Sequence, residues 1–230
     1  VNLYDITNDR IWLERAITLA HYFSSWIMAY DYSFPTESPL GKLGVSTRGS
    51  VFANTQNTHG APGICTYSGI ALLKLFRYTK DVRYLKLLQE ITKNIPQYLS
   101  HPNRPIPGMQ EGFVSERINT CDWLEGVGEL MYGSTWSEVS LMLTYAEIPG
   151  VYVVPDMNLA ITFDHLKVTL NEKDGQYFIE IMNPTRSIAR FYLLREKSKN
   201  FDTNFDMVFF SNKKKVTLKP LKKTILTFEK

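Results

Sequence analysis

The sequence predicts two parts, a helical domain over residues 1–156 and a small antiparallel β-sandwich over residues 157–230. The hydrophobic period changes from the helical spacing of three to four residues before Pro155 to an alternation of two after it. The charge changes at the same place, from 12 Lys and Arg against 15 Asp and Glu in the first part to 14 against 8 in the second. We attribute the basic excess to solvated strand faces, so no nucleic-acid partner is expected.

Five helices are predicted in the first part, because apolar residues recur there at helical spacing. They cover residues 9–30, 64–78, 81–99, 120–131 and 136–147. Two long regions rich in Pro, Gly and polar residues, 31–62 and 100–118, separate them. Polar loops of this length in a compact domain are typical of functional or disordered segments.

A short internal repeat links the first and third predicted helices. Thr7–Leu13 aligns with Thr79–Leu85 as a turn, an Asp at the helix start, and an aromatic–Leu pair on the packed face. One unit would be an outer helix, a long loop and an inner helix. Repetition of such a unit builds helical arrays and toroids.

Alternating apolar residues after Pro155 predict about six or seven short strands. They fall at 166–170, 177–181, 188–194, 207–210, 216–218 and 224–228. Turn residues at 171–175 predict a hairpin between the first two, and Asn183-Pro184 ends the second. Short strands at such intervals are typical of a sandwich.

The chain resembles the six-hairpin glycosidase-like proteins, which are (α/α) toroids that act on carbohydrates. The resemblance rests on helical hairpins that open with Thr-x-Asp, on the long polar loops and on the β-sandwich that follows them. Asn54–Gly60 and Ser115–Trp123 look like segments of uncharacterised bacterial members. The family's ring has more helices than this chain, so the resemblance implies an incomplete (α/α) toroid with helical hairpins. It also implies that the chain is the C-terminal portion of a longer glycoside hydrolase. Missing N-terminal hairpins, or self-association of the chain, would then complete the ring.

The candidate catalytic carboxylates are Glu116 and Asp122. Glycoside hydrolysis commonly uses two carboxyl groups, and residues 111–129 are the acid-rich part of the helical domain. Glu116 lies in a loop beside Arg117, whose charge would favour the ionised base. Helix capping and a surface ion pair are the simpler explanations for these acids.

The candidate sugar-binding residues are amides, a histidine, arginines and aromatics that could hydrogen-bond or stack on sugars. They are Arg48, Asn54, Asn57, His59, Tyr67, Arg117 and Trp123. Asn57, His59, Tyr67 and Arg117 would equally suit a polysaccharide lyase, in which an amide or Arg neutralises a uronate and a His or Tyr removes the neighbouring proton. A non-catalytic glycan-binding or assembly module is a further alternative.

Other classes of function are not indicated. No phosphate-binding glycine loop, HExxH or GxSxG motif occurs, and no metal or cofactor is expected. Cys65 and Cys121 show no metal spacing and are expected to be free thiols, although a disulfide is possible. No run of about 18 apolar residues predicts a membrane span. The chain begins at Val1, so we expect either a removed leader or a start inside a longer protein.

Overall fold

The computed structural model of the chain describes residues 1–52, 59–61, 69–120, 126–131 and 135–229. Within these ranges the helices are α1 (Asn2–Thr7), α2 (Arg10–Ser24), α3 (Pro39–Leu43), α4 (Ile70–Thr79), α5 (Val82–Asn94), α6 (Trp136–Glu147) and α7 (Phe205–Asn212). Short 3₁₀ turns lie at Ile95–Tyr98, Pro155–Met157 and Ser198–Asn200.

The described strands are short in the first half of the chain and longer in the second. They are β1 (Val51–Phe52), β2 (Gly60–Ala61), β3 (Arg117–Ile118), β4 (Leu130–Met131), β5 (Val151–Val154), β6 (Leu159–Thr162), β7 (Lys167–Lys173), β8 (Gln176–Met182), β9 (Ala189–Arg195), β10 (Lys214–Leu218) and β11 (Lys223–Glu229). They form three sheets, with strand orders β1-β2-β3-β4, β10-β9-β5-β6 and β11-β8-β7.

The described residues group into two compact units. Unit 1 contains residues 1–10, 71–89 and 147–230, and unit 2 contains 11–70 and 90–146. The domain boundary expected near residue 156 stays a prediction.

Unit 1 contains two sheets that share one apolar core. Val151 and Val153 of one sheet pack with Ile179 and Ile181 of the other, and all four are almost fully buried. The β7–β8 hairpin turns at Asp174 and Gly175, which both have positive φ, as a tight hairpin loop requires. The sheets are not purely antiparallel, because β5 pairs with β9 in parallel.

Helix α4 contributes apolar and charged groups to the interior of unit 1. Phe76 packs edge-on against Tyr152 of β5, with ring centroids 6.1 Å apart. Lys74 is almost completely buried, and its ammonium donates to Asp5 Oδ2 at 2.9 Å and Asp206 Oδ2 at 3.2 Å. Because a buried cation without partners is costly, these carboxylates explain how α4 tolerates Lys74 in its packed face.

The internal repeat corresponds to one turn that occurs twice. In both copies the Thr hydroxyl, of Thr7 or Thr79, donates to the carbonyl four residues earlier at 2.7 Å and accepts the N–H of the Asp two residues later. The residue between has positive φ, 53° at Asn8 and 59° at Lys80. The repeat therefore marks the tight turns between α1 and α2 and between α4 and α5.

The sheet of strands β1 to β4, which we call the small sheet, and the α3 segment provide the core of unit 2. Leu40, Tyr98, Ile118 and Leu130 pack in one buried cluster. Two buried polar groups fix the loop before β1, because Ser50 Oγ donates to Asn94 Oδ1 at 2.9 Å and Asn94 Nδ2 donates to the Ser46 carbonyl at 2.7 Å. The loop is thus ordered by hydrogen bonds that satisfy its buried polar groups.

The predicted fold class, an incomplete (α/α) toroid of helical hairpins followed by an antiparallel β-sandwich, is wrong. The described chain is a mixed α and β protein with seven short helices and three sheets. The polar loops that would lie at a toroid rim contribute strands to the small sheet instead. This sheet buries apolar residues that are isolated in polar sequence, because strand pairing brings them next to apolar neighbours. Examples are Val51, Ile118 and Leu130.

Two individual elements also differ from the prediction. The segment 126–131, expected in a helix, contains a turn and β4, because Gly126 and Gly128 adopt φ of 101° and 80°. The segment 207–210, expected as a strand, lies in α7, which begins with Asn204 accepting the Met207 N–H at 3.2 Å. Local capping there outweighs the β propensity of the Val-Phe-Phe run.

Candidate functional site

Pairing of β2 with β3 brings the two predicted polar segments together. Gly60 is the partner of Ile118 in an antiparallel pair, and β3 continues to β4 through Arg117 with Met131 and Ile118 with Leu130. The segment that ends in Gly60 is therefore hydrogen-bonded to the segment that begins at Ser115. Some sixty residues of sequence separate them.

The two faces of this small sheet differ in chemistry. Opposed residues share a face and neighbours along a strand alternate, so Ile118 and Leu130 lie on one face and Arg117 lies on the other. His59 directly precedes β2 and Asn119 directly follows β3, so both residues are adjacent in sequence to the Gly60–Ile118 pair. We call His59, Arg117 and Asn119 the polar face; His59 and Asn119 are buried and Arg117 is half-buried.

Gly60 permits the close approach at the centre of this sheet. A Cβ at this position would lie 3.0 Å from Met28 Cε, 3.3 Å from the Val51 carbonyl oxygen and 3.5 Å from Ile118 Cβ. A larger residue would have to displace these neighbours. The glycine thus serves β-pairing and core packing below the polar face.

Two hydrogen bonds fix the strand that carries Arg117. The buried Ser115 hydroxyl donates to the Arg117 carbonyl at 2.8 Å. The Val114 N–H donates to Glu138 Oε1 of α6 at 2.7 Å. The backbone on either side of Ser115 is therefore tied to a side chain, which positions the start of β3.

The predicted pairing of the catalytic carboxylates Glu116 and Asp122 stays a prediction. Glu116 lies in a bend directly before β3. Its backbone N–H donates to the Met131 carbonyl at 3.0 Å. Asp122 lies outside the described residues, as do four predicted binding residues: Asn54, Asn57, Tyr67 and Trp123. Cys65 and Cys121 also lie outside them.

Arg48 lies before the small sheet, in the turn that enters β1. Its Nε donates to the Ala29 carbonyl at 3.3 Å and lies 3.7 Å from Glu90 Oε1. Its backbone N–H donates to Asp31 Oδ1 at 3.1 Å. The hydroxyl of Ser46 and this N–H stabilise the carboxylate and lower the pKa of Asp31 below its usual value. These contacts make Arg48 a structural residue of the loop.

Asn119 was missed as a binding candidate by sequence reasoning. Its only signal was its place in the polar segment that begins at Ser115, directly after the two residues of β3. A strand of two residues is too short for alternation to be recognised in sequence. The hydrogen bonds that join Ser46, Ser50 and Asn94 were also missed. Their partners are distant in sequence, so no local pattern indicates them.

Comparison of the chain with protein-family models, with curated proteins and with solved structures finds no match. The resemblance to six-hairpin glycosidase-like proteins is therefore wrong, since the chain is not a toroid and no relative accords with it, and no match indicates carbohydrate metabolism. Among the residues that the structure describes, no cluster of His, Cys, Asp and Glu could hold a metal ion. In that same part of the chain, every helix is too short or too polar to cross a bilayer.

Proposed function

We propose that the chain binds an acidic glycan, a polymer or oligomer that contains uronate residues, through the polar face of the small sheet. The observation that carries this proposal is the pairing of Gly60 with Ile118, because it brings the residue before β2, His59, and the strand of Arg117 into one sheet region. The proposal rests on the side chains alone and needs no toroid.

The three side-chain types on this face match a uronate sugar. A guanidinium offers parallel N–H donors that fit both oxygens of a carboxylate. An amide such as that of Asn119 can donate and accept, as a pair of sugar hydroxyls requires. Burial of Asn119 lowers the local dielectric, which strengthens each polar contact.

Two-carboxylate hydrolysis is supported less well than binding. It requires two carboxyl groups within about 5 to 9.5 Å on opposite sides of one glycosidic bond. Of the two predicted carboxylates, only Glu116 lies within the described residues, so the structure offers no pair of carboxylates at this spacing in support of hydrolysis.

A lyase is the second candidate, and the place of His59 favours it. Elimination from a uronate requires a cation to neutralise the carboxylate and a base to remove the adjacent proton. Arg117 of β3 would supply the first group, and the imidazole of His59, next to the Gly60–Ile118 pair, would supply the second. The lyase and the non-catalytic glycan-binding module both require glycan binding, so one experiment tests the two together.

The test is calorimetric titration of the chain with trigalacturonate, with neutral maltotriose as the control sugar. We expect saturable binding of trigalacturonate, weakened roughly ten- to hundredfold in Arg117→Gln, as loss of a charged hydrogen-bond donor predicts. Arg48→Gln is the matched control and should bind like the wild type. Circular dichroism verifies that each variant is folded.

Equal binding of the two sugars, or equal loss in both arginine variants, would refute acidic-glycan binding at this face. Ultraviolet absorbance of the same mixtures over time detects an unsaturated product. Its appearance in the wild type and its absence in His59→Gln would establish the lyase. Binding without such a product would establish a non-catalytic module.

A further inference from the structure

A cavity of about 450 Å³ lies beside the two sheets of unit 1 that share an apolar core. Strands β5 and β9 run parallel, so their carboxyl ends lie at the same edge of the sheet. Pro155 follows the first strand, and Arg195 and Lys197 lie at the end of the second. Phe228 lines the cavity from the other sheet. The volume is within the usual range of small-molecule sites, roughly 300 to 1,000 Å³.

Arg195 is held by stacking on an aromatic pair. Tyr177 and Phe228 are opposed in the β8–β11 ladder, with ring centroids 5.7 Å apart. The Arg195 guanidinium carbon lies 4.2 Å from the Phe228 centroid. Stacking occupies the face of the guanidinium, while its N–H donors lie in its plane and remain available to a ligand.

The two cations of the cavity form no ion pair or hydrogen bond within the described part of the chain, and both residues are exposed. Against the effect of burial, hydrogen bonds from Ser198 and the charge of Lys197 lower the pKa of Asp156, so Lys197 is partly balanced by this carboxylate. A guanidinium fixed by stacking has lost part of its side-chain freedom before a ligand arrives. Such preorganisation lowers the entropic cost of binding.

Two of the cavity's carboxylates already have partners within the chain. Asp156 accepts the Ser198 N–H at 3.0 Å and the Ser198 hydroxyl at 2.5 Å, at the start of the 3₁₀ turn. Glu196 accepts Arg77 Nε at 3.1 Å and Nη2 at 3.2 Å. Glu229 is the exposed carboxylate that remains at the cavity, opposite two cations.

We propose that this cavity binds a small, ring-shaped organic anion. Arg195 and Lys197 hold the anionic oxygens, and the ring packs against Phe228 and Pro155. A carboxylate and a phosphate ester share this chemistry, since each presents two oxygens to the guanidinium fork. The site is separate from the polar face and does not depend on the proposed glycan binding.

The test compares benzoate and phenyl phosphate with benzamide, the neutral isostere of benzoate, by calorimetric titration of the full chain. We expect saturable binding of at least one anion, about tenfold or more tighter than benzamide, because benzamide has no charge for the guanidinium. The two anions distinguish a carboxylate ligand from a phosphate ligand. Failure of both anions to saturate, or equal affinity for benzamide, would overturn the proposal.

Variants locate the binding. Arg195→Gln should weaken anion binding about tenfold or more, whereas Arg190→Gln, an exposed arginine on the same strand, should leave it unchanged. If Arg195→Gln does not fold, Lys197→Gln with Lys199→Gln as its control makes the same comparison. Equal losses in a variant and its control would contradict the assignment. Binding of trigalacturonate is judged separately by Arg117→Gln, so either proposal can fail alone.

Discussion

Replacing Glu196 by Gln should destabilise unit 1 by about 3 kcal/mol or more, because it removes the counter-charge of a buried guanidinium. The Arg77 side chain is completely buried and that of Glu196 is 1% exposed. Both carboxylate oxygens accept from Arg77, and the Tyr152 hydroxyl donates to one of them. The neutral amide can still accept from Tyr152, so the principal loss is the charge.

The size of the expected loss in the free energy of unfolding follows from the hydrogen bonds that Arg77 keeps in Glu196→Gln. Its remaining donors bond the Thr203 carbonyl at 2.9 Å and the Asn200 carbonyl at 3.0 Å. Breaking a buried ion pair commonly costs about 3 to 5 kcal/mol. The two retained hydrogen bonds place Glu196→Gln near the lower limit. The assay is urea unfolding followed by circular dichroism, with the free energy extrapolated to water.

A second variant separates the charge from the packing. In Arg77→Met the unpaired group is the Glu196 carboxyl, whose pKa burial already raises above its usual value against the attraction of Arg77. Without Arg77 this pKa should rise further. The carboxyl then costs little below its unfolded pKa of 4.5, and stability is lost as the pH rises through its folded pKa. A guanidinium cannot neutralise itself, so Glu196→Gln should show no such recovery in acid.

The double variant Arg77→Met/Glu196→Gln should be no less stable than either single variant, since it leaves no unpaired charge. The exposed pair Arg83–Asp81, with N–O distance 2.6 Å and Arg83 80% exposed, is the matched control. Its disruption by Asp81→Asn should cost less than about 1 kcal/mol. Single variants within 1 kcal/mol of the wild type, or fully additive losses, would refute the reasoning.

Three further predictions concern unit 2. Gly128→Ala should destabilise it by about 1 to 3 kcal/mol in the same unfolding assay, because φ is 80° and the new Cβ would lie 2.2 Å from Ser38 Oγ; an unchanged midpoint would contradict this. Because the pKa of Asp31 is lowered, its contribution to stability is present above pH 3.8 and is lost as the pH falls through its folded pKa. The Ser46 hydroxyl is the main cause of the lowered pKa, so Ser46→Ala should raise the pKa of Asp31 in an NMR titration. Burial raises the pKa of Tyr98 to about 12, so its contribution to stability should persist below pH 10 and be lost through pH 12. Because the pKa values of Tyr78, Tyr84 and Tyr152 are raised as well, an ultraviolet titration of the phenolates should compare the wild type with Tyr98→Phe, which should lack one late-titrating group.

The helices and longer strands could be predicted where periodicity extends over several residues. The expected helices at 81–99 and 136–147 overlap α5 and α6, and the expected strands at 166–170 and 177–181 overlap β7 and β8. In α5 and β8 the apolar residues of the pattern bury one face, as Leu85 and Leu88 or Ile179 and Ile181 do, whereas α6 buries Ser137, Ser140 and Thr144 instead. The Thr-x-Asp repeat also marks a real turn, because its hydrogen bonds are local.

The architecture could not be predicted, because it depends on contacts between distant residues. The strands of the small sheet are two residues long, and nothing local to Val51 or Ile118 indicates their partners. The parallel pairing of β5 with β9 joins segments some forty residues apart. Local similarity to a toroid hairpin was therefore extended to a global ring that the chain does not form.

The candidate site residues stay a prediction. The pairing of β2 with β3, which joins the segments beside His59 and Arg117, depends on contacts between residues far apart in sequence. Sequence reasoning also passed over Arg195, since an isolated arginine at a strand end carries no signal of the cavity around it.

The most direct test of the central claim is a crystal structure of the chain with trigalacturonate at saturating concentration. The account predicts a uronate carboxylate within hydrogen-bond distance of the Arg117 guanidinium and a sugar hydroxyl at the Asn119 amide. A bound sugar elsewhere, or a polar face without sugar in that crystal, would contradict it.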